Sequence, residues 1–242
     1  MASSSTHRYF ALLAVAALGV LASCVVSPQP LPPSIDVSKL TIDPTSGTIR
    51  IHGNARAVTG GATLSALPAT GTGAAAQAAV AADGTFDAVV APDPANVYRL
   101  EASLNGLLSE PVDISVPNGF NGFKAGPAAP VTPPYASCLR VQPSPVAVAG
   151  DVHVGATAPI AIELENGCTQ DLAVDDAHLR DGGVGFGLDT AAPLTIPMGQ
   201  THAVSLHFTP GATSSVEDLL VVHFTGTDPG FVLVTVRGTG IP

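Results

Sequence analysis

Ile160-Ala161-Ile162-Glu163-Leu164-Glu165-Asn166 decides the reading of this chain. Apolar and polar residues alternate there with a period of two. Such a run forms a strand that buries Ile162 and Leu164 on one face and leaves Glu163 and Glu165 on a solvated one. The pattern recurs on both sides. Upstream, Leu139, Val141, Val146 and Val148 lead into Gly150-Asp151-Val152-His153-Val154-Gly155. Downstream, Val204 and Leu206 precede Phe208-Thr209-Pro210, and Val232, Val234 and Val236 run into Gly238-Thr239-Gly240. Glycines 150, 155, 167, 182, 183, 226, 230 and 238 fall between these patches, where tight turns call for φ > 0. No stretch sustains a helical period with caps. Residues 138–242 therefore read as a β-sandwich, each strand packing alternate residues against the opposite sheet.

The preceding segment, 34–116, shows the same habit. Thr48-Ile49-Arg50-Ile51-His52-Gly53 and Ala62-Thr63-Leu64-Ser65-Ala66-Leu67 alternate. Asp83-Gly84-Thr85 reads as a turn before Phe86-Asp87-Ala88-Val89-Val90. Val97, Arg99 and Glu101 oppose Tyr98, Leu100 and Ala102, and Val112, Ile114 and Val116 close the unit. The alanine content of 71–82 suits a helix, but its glycines and all-strand neighbours argue for β. Between the two units, 117–137 is rich in proline, with little periodicity, and reads as an interdomain linker.

Two resemblances sharpen this picture. The order of strand patches, Asn166, Phe208-Thr209-Pro210 and Gly238-Thr239-Gly240 in the second unit resembles the abnormal-spindle/hydin-type domain, known in bacteria as the choice-of-anchor D module. That resemblance implies an immunoglobulin-like sandwich of seven to eight strands. Ala149 departs from it, standing where an aromatic residue usually precedes the glycine. In the first unit, Gly47 and Asp83-Gly84-Thr85-Phe86 resemble bacterial immunoglobulin-like or carboxypeptidase-regulatory-like sandwich modules.

The N-terminus carries a different signal. His7 and Arg8 precede an apolar run over 10–21, too short for a permanent span and suited to export. Leu21-Ala22-Ser23-Cys24 follows and resembles the lipobox of a bacterial lipoprotein signal peptide. The resemblance implies that 1–23 are removed and that Cys24 carries a diacylglyceryl thioether and an N-acyl chain such as palmitate. Each buried methylene contributes about 0.8 kcal/mol, so several acyl chains hold a protein firmly on a membrane. Val25 is not the aspartate that commonly retains such proteins at an inner membrane, which points to the outer membrane in a cell with two. Ser27-Pro28-Gln29-Pro30-Leu31-Pro32-Pro33 makes 24–33 a stiff, lipidated tether.

Composition excludes some functions. The net charge is -10, and an acidic chain gains nothing from phosphate backbones, so nucleic acid is not an expected partner. Charged residues make up only 12% and there is no Trp, so aromatic sugar platforms are scarce.

Candidate chemistry is sparse. Besides Cys24, Cys138 and Cys168 form an even pair in an exported chain, where a disulfide is the natural reading. The competing reading is two free thiols or a nucleophile, against which Asp171, Asp175 and Asp176 would raise the thiol pKa. His52, His153, His178, His202, His207 and His223 show no ligand spacing; His202 and His207, five apart, point to opposite faces of one strand. Asp175-Asp176 beside His178 reads as solvated loop, and Glu217-Asp218 as the exposed start of a strand. Asp181-Gly182-Gly183 and Gly185-Phe186-Gly187 follow no strand-to-helix pattern that would cradle phosphate. No catalytic, metal-binding or cofactor-binding residue is therefore expected, and no enzyme.

The expectation is an all-β chain, with two immunoglobulin-like β-sandwich domains in series after a lipoprotein signal peptide. It is expected in the cell envelope, attached to a membrane through its N-terminal lipid. Its expected role is structural or adhesive, through an envelope or surface protein partner; the alternative is a glycan or small-ligand binding module.

Overall fold

The computed structural model of the chain describes residues 30–45, 47–115, 125–131, 135, 137–225 and 230–242. Cys24, the expected signal peptide and most of the tether lie outside them. The described residues are strands and turns, apart from one turn of 3-10 helix at Val37–Lys39, where the Asp36 carboxylate accepts from the Ser38 N–H. Among them no helix is long and apolar enough to cross a membrane.

The first sandwich contains β1 (Leu40–Thr45), β2 (Thr48–Gly53), β3 (Thr63–Pro68), β4 (Ala76–Ala79), β5 (Phe86–Val90), β6 (Val97–Leu104), β7 (Leu107–Leu108), β8 (Val112–Ser115), β9 (Gly126–Pro127) and β10 (Ala129–Pro130). One sheet runs β5-β2-β1-β9 and the other β10-β8-β6-β3-β4, with β7 beside β6. Alternation decides which side chains go in. In β2, Ile49 and Ile51 are buried while Thr48 and Arg50 are exposed. In β5, Phe86, Ala88 and Val90 point inward. Asp83 accepts from the Thr85 N–H and hydroxyl, holding the turn before β5. Residues 76–79 are strand, as the glycines of 71–82 suggest.

Of the segment expected to be a linker, 117–124, 132–134 and 136 lie outside the described residues, and residues 126–130 are paired rather than free. Gly126 and Pro127 pair with Ile42 and Thr41 of β1, and Ala129 and Pro130 pair with Ser115 and Ile114 of β8. Ala128 between them enters the core, and its N–H donates to the Leu40 carbonyl. The chain thus crosses from one sheet to the other and seals the sandwich end. Proline is tolerated there because both strands lie at sheet edges, where one N–H row has no ladder partner.

The second sandwich contains β11 (Leu139–Gln142), β12 (Val146–His153), β13 (Ala158–Asn166), β14 (Leu172–Leu179), β15 (Phe186–Leu188), β16 (Leu194–Ile196), β17 (Thr201–Phe208), β18 (Ser215–Phe224) and β19 (Phe231–Ile241). Its sheets run β11-β13-β17-β15 and β12-β19-β18-β14-β16. β12 joins the last strand in parallel, whereas its other pairs are antiparallel. The initial strand is thereby divided between the two sheets, an immunoglobulin-like arrangement. β13 keeps the expected register, with Ile160, Ile162 and Leu164 inside and Glu163 and Glu165 outside.

Two local expectations are corrected. In β12 it is Ala147 that is fully buried, while Val148 is 66% exposed. The pairing with β19 shifts between Val148 and Asp151, around Gly150 at φ 79°, and a one-residue shift turns each side chain to the other face. Gly238 is no turn residue but an interior residue of β19. A Cβ there would lie 2.4 Å from the Phe208 ring, which stacks on Phe186 at 4.6 Å. The absent side chain makes room for the aromatic pair.

Candidate functional site

Cys138 and Cys168 are bonded, their Cα atoms 4.8 Å apart. Cys138 enters β11 and Cys168 leaves β13, and Leu139 pairs with Asn166 across these strands. Asn166 completes the corner. Its amide donates to the carbonyls of Gln170 and Ile196, and its oxygen accepts from the Cys168 N–H. The buried amide is thereby satisfied by three backbone groups, two from the turn after β13 and one from β16.

The histidines stand on outer surfaces. His52 pairs with Asp87, His178 with Asp176, His207 with Asp189 and His223 with Asp175, at 2.6–3.1 Å. All four pairs are solvent-exposed on both sides. Asp175 and Asp176 belong to β14 rather than to a loop, and the hydrogen bond from His223 holds the Asp175 carboxyl below its usual range. His202 and His207 do face opposite ways: His207 reaches Asp189, while the His202 Nε2 is enclosed without a partner among the described residues. Among the described residues no three His, Cys, Asp or Glu side chains gather as a metal site.

The densest polar cluster lies elsewhere, between the sandwiches. Residues 32–242 form one compact unit. The outer face of the β6 sheet lies against the outer face of the β18–β19 sheet. A separate apolar cluster joins them: Ala69 and Val97 from the first sandwich meet Leu219, Val221, Phe231 and Leu233 from the second. β18 and β19 are thus buried on both faces, with Leu220, Val222, Val232 and Val234 in their own core. Their near-continuous apolar runs at 219–222 and 231–234 are the sequence signature of such strands. That signal was available, and period-2 reading passed over it.

Arg99 lies at the centre, only 5% exposed. Its guanidinium donates to both Asp113 carboxylate oxygens at 2.8 and 2.7 Å, and across the joint to the Thr235 hydroxyl and the Leu233 carbonyl at 2.8 and 3.2 Å. A planar fork fits this set, since a buried arginine needs several acceptors in fixed directions. Arg180 spans the joint the other way, donating to the Pro68 and Gly73 carbonyls and to Asp181. Arg237 bridges Glu101 of the first sandwich and Glu217 of the second.

Asp218 corrects the expectation of an exposed strand start. It is 3% exposed and accepts from the N–H groups of Asp181, Gly182 and Leu219. Its neighbour Glu217 is the exposed member of the pair. Glu101, Glu217, Asp218 and Arg99 line a cleft of about 180 Å³ at the joint. A second cleft, about 270 Å³, lies on the other side of Arg99 and is lined by Tyr135, Leu139, Phe231 and Leu233. Histidine lines neither. Burial pushes the Glu101 carboxyl up to about 7; the Glu217 charge adds to the rise, and Arg237 and Arg99 oppose it.

No protein-family model matches the chain, and no curated protein matches it. Among solved structures, it is similar to the ASH/PapD-like domain 7 of human CEP192, at 16% identity and a TM-score of 0.36, over 47% of this chain and 92% of that one. A protein from Porphyromonas gingivalis W83 shows 14% identity and a TM-score of 0.36, over 86% of this chain and 100% of the other. The D0-D1 domain of intimin shows 10% identity and a TM-score of 0.28, over 81% and 90%. At these scores the likenesses carry no argument about activity or partner; the all-β sandwich architecture stands on the strand pairing itself.

Proposed function

We propose that the chain is an exported, lipid-anchored protein of the cell envelope, at the outer membrane where there are two. On this reading its sandwiches act as one rigid, non-enzymatic module that binds an envelope or surface protein. The joint carries the reading. Two sandwiches on a free linker would offer independent surfaces, whereas Arg99, Arg180, Arg237 and the Leu219–Phe231 cluster hold these two as a composite one. Support for the anchor comes from Leu21-Ala22-Ser23-Cys24 and the proline-rich tether. Support for a choice-of-anchor D relationship of 138–242 comes from the strand and glycine order quoted above.

Two experiments test this reading. Metabolic labelling with a clickable fatty acid is expected to mark the parent and to miss Cys24→Ser; equal labelling removes the anchor. Photo-crosslinking in intact envelopes is expected to trap a protein partner on the parent and to lose it when Arg99→Ala loosens the joint. Retention of the same partner by that variant removes the composite surface.

A further inference from the structure

The joint contains an unequal exchange of charge. Arg237 is a single cation shared by two carboxylates, Glu217 at 2.6 Å from Nε and Glu101 at a terminal nitrogen. The other charged groups facing Glu101 are committed. On its own strand, Arg99 is held by Asp113 of β8. On β18, Asp218 is held by three backbone N–H groups. After β14, Arg180 is held by two carbonyls and Asp181. On β3, the cross-strand neighbour is the neutral Ser65. The Glu101 side chain is 12% exposed against 45% for Glu217, so Glu101 bears the desolvation.

We propose that Glu101 is a proton-linked latch between the sandwiches: closing the joint takes up a proton there, so mildly acidic medium tightens the joint and mildly alkaline medium loosens it. The sign follows from linkage. The Glu101 carboxyl rises from 4.5 to about 7 when enclosed. Between those values the closed joint binds more protons than the open one, so its stability falls as pH rises through that window and levels off above it. The inference goes beyond the proposed function and holds whether or not Cys24 bears lipid.

Amide hydrogen exchange resolved by residue, corrected for intrinsic rate, tests the latch in the full chain. The Asp181 and Gly182 amides report the joint, and those of Ile51 and Ile162 report the two cores. From pH 5.5 to 8.5 joint protection is expected to fall about thirtyfold in the parent and less than about twofold in Glu101→Gln. An equal fall in that variant, or an equal fall at Ile51 and Ile162, overturns the proposal. A carboxyl ¹³C titration of the parent needs no variant to fold. A Glu101 midpoint near 7 supports the latch, and a midpoint in the ordinary glutamate range overturns it.

Discussion

The two sandwiches share an architecture and differ in what fills them. The second packs Phe186, Phe208 and Phe224 among valines and leucines, and Ala147 is the one alanine among its buried described residues. The first interleaves large residues such as Leu40, Ile42, Ile51, Leu100, Phe86 and Tyr98 with Ala57, Ala62, Ala66, Ala78, Ala88, Ala102 and Ala128. Small side chains bring sheets close but remove little apolar area from water each. The second sandwich also has the Cys138–Cys168 bond, whereas the first is closed by residues 126–130 and covered by its neighbour. On this comparison the second is expected to be the stronger unit alone and the first to lean on the joint.

The sharpest break is Arg99→Ala. It leaves Asp113 without its bidentate partner and leaves two acceptors of the second sandwich, the Thr235 hydroxyl and the Leu233 carbonyl, facing a hole. Losing one partner of a buried pair costs about 3–5 kcal/mol. Calorimetry is expected to show the first sandwich melting earlier, as a separate transition. An unchanged single transition would show that it does not lean on the joint.

Replacing Cys138 and Cys168 with Ser attacks the stronger side. The positions are separated by 30 residues, and closing such a loop stabilises by about 3.5 kcal/mol on the chain-entropy model. Urea unfolding is expected to show the loss in the second sandwich. A loss confined to the first would invert the comparison.

Asp93 sharpens it from within the first sandwich. This fully buried carboxylate accepts from the N–H groups of Thr70, Gly71, Ala95 and Val97 and from the Thr70 hydroxyl. It fixes the loops that present Ala69 and Val97 to the joint. Asp93→Ala strands those donors and is expected to cost about 2 kcal/mol, read by thermal melting of the first sandwich. The smallest effect is expected from Arg140→Ala. That exposed residue sits 3.7 Å from Glu165 on the second sandwich, and its loss should cost less than about 0.5 kcal/mol in either transition.

What the sequence determined by itself was local. Period-2 alternation placed Ile162 and Leu164 inside and Glu163 and Glu165 outside, because a strand's side chains have nowhere else to point. An even pair of cysteines, Cys138 before one strand and Cys168 after another, anticipated the disulfide. Only the tertiary structure decided the rest. Alternation separates two faces but cannot say whether the outer one meets water or another sheet, so it placed Arg99 and Glu101 only opposite Tyr98, Leu100 and Ala102, and Asp218 looked solvated. Their partners, Thr235, Arg237 and the Gly182 amide, lie far away in the chain, and no local pattern links them. Residues 126–130 likewise became strands because two sheet edges with unpaired backbone groups stood ready to receive them, a property of the folded sandwich rather than of that proline-rich segment.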